Sequence, residues 1–138
     1  MVRFTVAGAV LLVMLISVAA CATSSSSSPI EDTLRIPNGF GMGGDDDGIL
    51  VTFLEVFNDS RCAEGVTCVR AGEAFVRLGI TVDDRPEEEV TIEFASGTEP
   101  LHRADRFEIT LLQLQPDPPP VGGVEQSDYR LRLRIRER

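Results

Sequence analysis

The sequence predicts an all-β fold, an antiparallel β-sandwich of about six to seven strands, on three observations. Apolar residues recur at every second position in segment after segment, the period of a strand with one buried face. No window of useful length carries the 3.6-residue spacing of an amphipathic helix. The alternating segments are divided by "GMGGDDDG", "DDRPEE", "SGTEPLHRAD" and "PDPPPVGG", where glycine, proline and aspartate favour turns.

Taken in chain order, residues 1–20 come first. "MVRFTVAGAVLLVMLISVAA" starts with one basic residue, Arg3, runs on as an apolar stretch and ends in small residues, the pattern of a secretory signal peptide. The run closes on "SVAAC", which resembles a bacterial lipobox, so the resemblance implies cleavage before Cys21 and lipid on its thiol. One acyl chain, at about 0.8 kcal/mol per buried CH₂, holds a protein only reversibly; the two or three chains of a bacterial lipoprotein give durable attachment. Residues 21–30 follow as a tether, because "ATSSSSSP" has too few apolar groups to pack. About eight flexible residues reach roughly 16 Å, which would hold a domain just clear of the head groups. The expected place is the bacterial cell envelope, outside the cytoplasm. Ala22 after the cysteine, in place of Asp, points to the outer membrane where the cell has one.

Residues 31–138 make the single sandwich domain. In "GEAFVRLGITV", Ala74, Val76, Leu78, Ile80 and Val82 share one face. "EVTIEF" places Val90, Ile92 and Phe94 together, "RFEITLLQLQ" places Phe107, Ile109 and Leu111 inward, and "YRLRLRIR" alternates Tyr129, Leu131, Leu133 and Ile135 with arginines. The alternation slips in "ILVTFLEVF" and at Leu111-Leu112, which predicts either strands buried on both faces or β-bulges.

The chain has 13 basic and 22 acidic residues and a net charge of −9; loss of Arg3 with the signal peptide makes it one unit more negative. That balance argues against a nucleic-acid partner. All 13 basic residues are arginine, so Schiff-base and phosphate-loop lysines are excluded. "GFGMGG" satisfies G-x-G-x-x-G through Gly39, Gly41 and Gly44, but the strand-to-helix context of a dinucleotide site is missing, and Asp45, Asp46 and Asp47 would repel phosphates. This segment is expected to be a flexible loop, and no cofactor is expected. The same three aspartates are the alternative Ca²⁺ ligands, although EF-hand spacing is absent. His102 is the sole histidine; an enzyme would have to be built around it with Asp105 or another acid, and no nucleophile motif accompanies it in what reads as a solvated loop. The expectation is a non-enzymatic domain with an envelope partner of unknown identity.

Cys62 and Cys68, in C-x₅-C spacing, remain once Cys21 is lipidated. An even pair in an exported protein predicts a disulfide. Zinc with His102 lacks a fourth ligand, and a redox dithiol would favour C-x-x-C at a helix start. Around these cysteines, "VFNDSRCAEGVTCVRAGEAFVRL" resembles the signature of a family of small, uncharacterised bacterial envelope lipoproteins, in which a strand leads into Asp-Ser-Arg-Cys-Pro, a second cysteine, Trp-Ala-Gly and another strand. "LLQLQPDPPPVGGVEQSDYRLRLRI" resembles the family's proline-containing segment and Tyr-led last strand. Asp59, Ser60, Arg61, Cys62, Cys68, Ala71, Gly72 and Tyr129 fall on that pattern. Ala63 stands where the family has proline and Arg70 where it has tryptophan, so no role of that aromatic carries over. The resemblance implies compartment, disulfide and β fold, and supplies no catalytic mechanism.

In the last strand Arg130, Arg132, Arg134 and Arg136 share the face opposite Tyr129, Leu131, Leu133 and Ile135. Like charges about 6.6 to 7 Å apart repel unless neutralised, so this strand is expected beside at least one of the strands carrying Glu89 and Glu93 or Glu108. The functional alternative is an open anion-binding face.

Overall fold

The computed structural model describes residues 28–43 and 48–138. The expected signal peptide at 1–20, Cys21, most of the expected tether and Asp45 to Asp47 lie outside the described residues. Two four-stranded antiparallel sheets pack face to face as a β-sandwich. The strands are β1 (Ile30–Arg35), β2 (Gly39–Gly43), β3 (Gly48–Phe57), β4 (Glu73–Val82), β5 (Glu88–Ala95), β6 (Leu101–Ala104), β7 (Phe107–Gln115) and β8 (Arg130–Glu137). One sheet has the order β2-β3-β4-β5 and the other β1-β8-β7-β6. The chain therefore crosses between sheets only at the β1–β2 and β5–β6 corners, and consecutive strands are otherwise neighbours, apart from the pairing of the first strand with the last.

The core takes in most of the predicted inward residues, with Val90 only partly buried at its margin, and adds Leu34 of β1 and Ile49, Val51 and Phe53 of β3. Ala74, Val76, Leu78, Ile80 and Val82 of β4 are buried, with Ile92 and Phe94 of β5, Phe107, Ile109 and Leu111 of β7, and Tyr129, Leu131, Leu133 and Ile135 at β8. Both slips in alternation are β-bulges. The β3–β4 register shifts between Phe53 and Glu55, and the β7–β8 register between Leu111 and Gln113. Each bulge turns the next apolar residue back inward, so Val56 and Leu114 are buried where strict alternation would expose them.

Three expectations are corrected. Eight strands are present among the described residues, against about six to seven expected. "GFGMG" is not a loop but the edge strand β2, in which Phe40 and Met42 pack on the core while the glycines face away. A Cβ on Gly41 would lie 2.8 Å from the carbonyl oxygen of Ile49, so this edge lies too close to β3 for a side chain there. "SGTEPLHRAD" is not wholly loop either, since β6 lies within it and pairs His102 with Ile109.

Candidate functional site

The loop after β3 ties the two sheets together at one end of the sandwich. Arg61 is 5% exposed. Its guanidinium donates from Nε to Asp59 Oδ1 at 2.9 Å, from Nη2 to Asp59 Oδ2 at 2.7 Å, and from Nη1 across to the Leu114 carbonyl of β7 at 2.7 Å. Tyr129, immediately before β8, donates its hydroxyl to Asp59 Oδ2 at 2.9 Å. Burial pushes the Asp59 carboxyl up, but the hydrogen bonds from Arg61 and Tyr129 outweigh it and hold the pKa below the usual aspartate range. Burial, reinforced by the hydrogen bond to anionic Asp59, pushes the Tyr129 phenol up to about 12. A neutral phenol, a carboxylate and a guanidinium that satisfy one another make a structural clasp, since each polar group is already engaged.

The other residues of the motif support this clasp. The Ser60 amide donates to the Glu73 carbonyl at 2.8 Å, while the Ser60 hydroxyl donates to the same carbonyl at 2.9 Å and accepts from the Glu73 amide at 3.2 Å. The backbone at Gly72 runs so close to Ser60 that a Cβ would sit 1.7 Å from the Ser60 carbonyl oxygen. Cys62 and Cys68 are joined as a disulfide with Cα atoms 5.9 Å apart, which closes the exposed loop behind Arg61. Gln126 was not singled out in the sequence, yet its amide brackets Val56 of β3: Oε1 accepts from the Val56 amide at 3.0 Å and Nε2 donates to its carbonyl at 2.6 Å.

A second clasp at the opposite end was also missed. Arg106, in the β6–β7 turn, donates to both carboxylate oxygens of Asp83 in the β4–β5 turn at 3.1 and 2.9 Å and to Glu137 at 2.9 Å. The hydrogen bond from Arg106, opposed by desolvation, keeps the Asp83 carboxyl below its ordinary range. Asp83 and Asp105 have positive φ, 53° and 54°, which short polar side chains tolerate in turns. That Asp/turn chemistry was visible in the sequence; the pairing across sheets was not.

The arginine ladder lies on the outer face of its sheet and is not uniform. Arg136 donates to Glu108 of β7, which also accepts from Arg103 of β6 at 3.2 Å. The Arg136 hydrogen bond, against the cost of burial and with help from Arg103, lowers the Glu108 pKa. Arg134 pairs with Glu31 of β1 at 2.6 Å. Thus β8 does lie beside the strand of Glu108, whereas Glu89 and Glu93 belong to the other sheet; Glu31, not anticipated, supplies the second carboxylate. Arg132 faces Thr33 and Gln113, and Arg130 faces Arg35 and Gln115. Among the described residues neither is ion-paired. Thr33, Gln113, Gln115, Arg130 and Arg132 line a cavity of about 200 Å³.

His102 is half-buried on edge strand β6, on the face shared with Ile109, and has no hydrogen bond to an acid among the described residues. No three His, Cys, Asp or Glu side chains group around a potential ion there. No helix is long and apolar enough to cross a membrane among the described residues. Ala71 is exposed beside Gly72 and makes no contact that defines a site. Comparison of the chain with protein-family models, with curated proteins and with solved structures finds no match to any of them.

Proposed function

We propose that this chain is a non-enzymatic, lipid-anchored β-sandwich of the bacterial cell envelope, held by Cys21 and carrying a binding or structural role outside the cytoplasm. The observation that carries the proposal is "SVAAC" at the end of an apolar run that opens with Arg3, followed at once by a serine-rich tether. The bridged pair Cys62–Cys68 supports it, because disulfides persist in oxidising compartments outside the cytoplasm. The likeness of the Asp59-to-Gly72 segment to the envelope lipoprotein signature supports it as well. Asp59, Ser60, Arg61, Gly72 and Tyr129 are engaged with one another or with backbone, which fits a structural frame for a domain better than reactive machinery.

The test is Cys21→Ser in a cell that processes lipoproteins. The wild-type protein is expected to take up radiolabelled fatty acid and to sediment with membranes; the variant is expected to lose the label and to leave the membrane fraction or remain unprocessed. Label retained by the variant, with unchanged fractionation, would refute lipid attachment at Cys21.

A further inference from the structure

The outer face of the β1-β8-β7-β6 sheet is divided in a way that its sequence does not announce. Read along β8, four rows of cross-strand neighbours follow one another. Arg136 meets Glu108, and Arg134 meets Glu31. The next two rows are Thr33–Arg132–Gln113 and Arg35–Arg130–Gln115. Directly paired residues point to the same face, so three guanidiniums, those of Arg35, Arg130 and Arg132, stand among neutral amide and hydroxyl groups. None of the three is ion-paired to a carboxylate among the described residues, in a protein with 22 acidic groups against 13 basic ones. Among the described residues the Arg130 side chain donates to the backbone carbonyls of Ser127 and Tyr129, at 2.7 and 2.8 Å, and to no carboxylate. Asp117 and Asp128 border the adjoining cavity with Arg130, and Asp117 is taken up by the Ser96 hydroxyl at 2.8 Å.

We propose that Arg130 and Arg132, with Arg35, Gln113, Gln115 and Thr33, form a binding site for a phosphate group on a small polar molecule. A single guanidinium fork engages both oxygens of a carboxylate, whose acceptor lone pairs all lie in one plane. A phosphate presents oxygens in several directions and can accept from two forks about 6.6 to 7 Å apart on one strand, as well as from an amide or hydroxyl between them. The cavity of about 200 Å³ lined by five of these residues has room for the group and a small substituent. Because the whole chain carries −9, long-range attraction does not draw anions in, and affinity comes from short forked hydrogen bonds at the site. Arg134 and Arg136 take no part, being occupied by Glu31 and Glu108. This site goes beyond the anchoring proposal and does not depend on it.

The test is calorimetric titration of the full chain in neutral detergent and phosphate-free buffer with two probes, inorganic phosphate and a short-chain phosphatidylglycerol below its micellar concentration. Saturable binding of at least one probe is expected. Saturation by phosphate assigns a soluble phosphate compound as ligand, and saturation by the lipid alone assigns a head group. Arg132→Gln and Arg130→Gln are expected to weaken binding about tenfold or more, the usual loss for a charge-assisted hydrogen bond. Arg134→Gln removes the same unit of charge and is expected to leave affinity within about twofold, as for a surface substitution outside the contact. No saturation with either probe, or equal weakening by Arg134→Gln and Arg132→Gln, overturns the site.

Discussion

Asp59 accepts two hydrogen bonds on each carboxylate oxygen: Oδ1 from the Arg61 amide and Nε, Oδ2 from Arg61 Nη2 and the Tyr129 hydroxyl. Removing the Arg61 side chain takes away the carboxylate's charged partner and two of these four hydrogen bonds, together with the donor to the Leu114 carbonyl. Arg61→Ala is therefore expected to cost about 3 to 5 kcal/mol in denaturant unfolding, the range for a buried pair deprived of one partner. Tyr129→Phe removes one neutral donor and should cost about 1 to 2 kcal/mol. Tyr129 is the only tyrosine and there is no tryptophan, so phenolate absorbance reports this group alone. Its pKa is raised from 10.0 to about 12, which means that the folded state favours the neutral phenol. The resulting stability is complete below the unfolded value and is lost as pH climbs from about 10 through about 12. A spectrophotometric midpoint near 10 in the folded protein would contradict the buried hydrogen bond. Gly72→Ala puts a methyl group against backbone that cannot swing aside, and should destabilise by about 1 to 3 kcal/mol or prevent folding. The resemblance marked Asp59, Arg61, Gly72 and Tyr129, but no rule of spacing joins residues separated by 70 positions, so their mutual contact was illegible.

At the scale of elements, legibility followed the number of inward side chains. β4, β5, β7 and β8 were plain because each sends several apolar residues to the core, whereas β1 buries only Leu34 and β2 alternates with glycine. Strands that send so few large side chains inward show little periodicity, whereas β5, also at an edge, still buries Ile92 and Phe94. β6, with four residues, is too short to show any. The slips at Phe53–Glu55 and Leu111–Gln113 were legible as irregularities and proved to be bulges. Deleting Leu112 removes the extra residue of β7 and restores plain alternation from Phe107 to Gln115, so Leu111 and Leu114 stay inward. Deleting Arg132 from β8, the strand of this pair that carries no extra residue, turns Leu133 and Ile135 to solvent. The Leu112 deletion is accordingly expected to give a cooperatively unfolding protein with lowered melting temperature, and the Arg132 deletion to give no cooperative transition by circular dichroism. Equal loss from both would mean that the bulge itself is indispensable.

Across the whole molecule, the sandwich is fastened at both ends by arginine–aspartate clasps. Asp59 and Arg61 precede β4 in the loop from β3, and Asp83 follows β4, ten residues or about 30 Å away along the strand. Each clasp reaches the opposite sheet, through Leu114 and Tyr129 at one end and through Arg106 and Glu137 at the other. Asp59 and Asp83 both have lowered pKa values. A depressed carboxyl contributes stability that is complete above its unfolded value and is lost as pH falls through its folded value, so acid should loosen both ends together. Melting temperature is expected to hold from neutral pH to about 5 and to fall steeply below about 4. Asp59→Asn and Asp83→Asn should each lower stability at neutral pH and flatten the acid limb, because the substituted group no longer takes up a proton. Groups this far apart with no shared partner act independently, so the double variant should lose the sum of the single losses. A loss clearly greater than that sum would show that the ends cooperate through the core. An acid limb left unchanged by both substitutions would assign acid sensitivity to other carboxylates, of which Glu108, held between Arg103 and Arg136, is the next to replace.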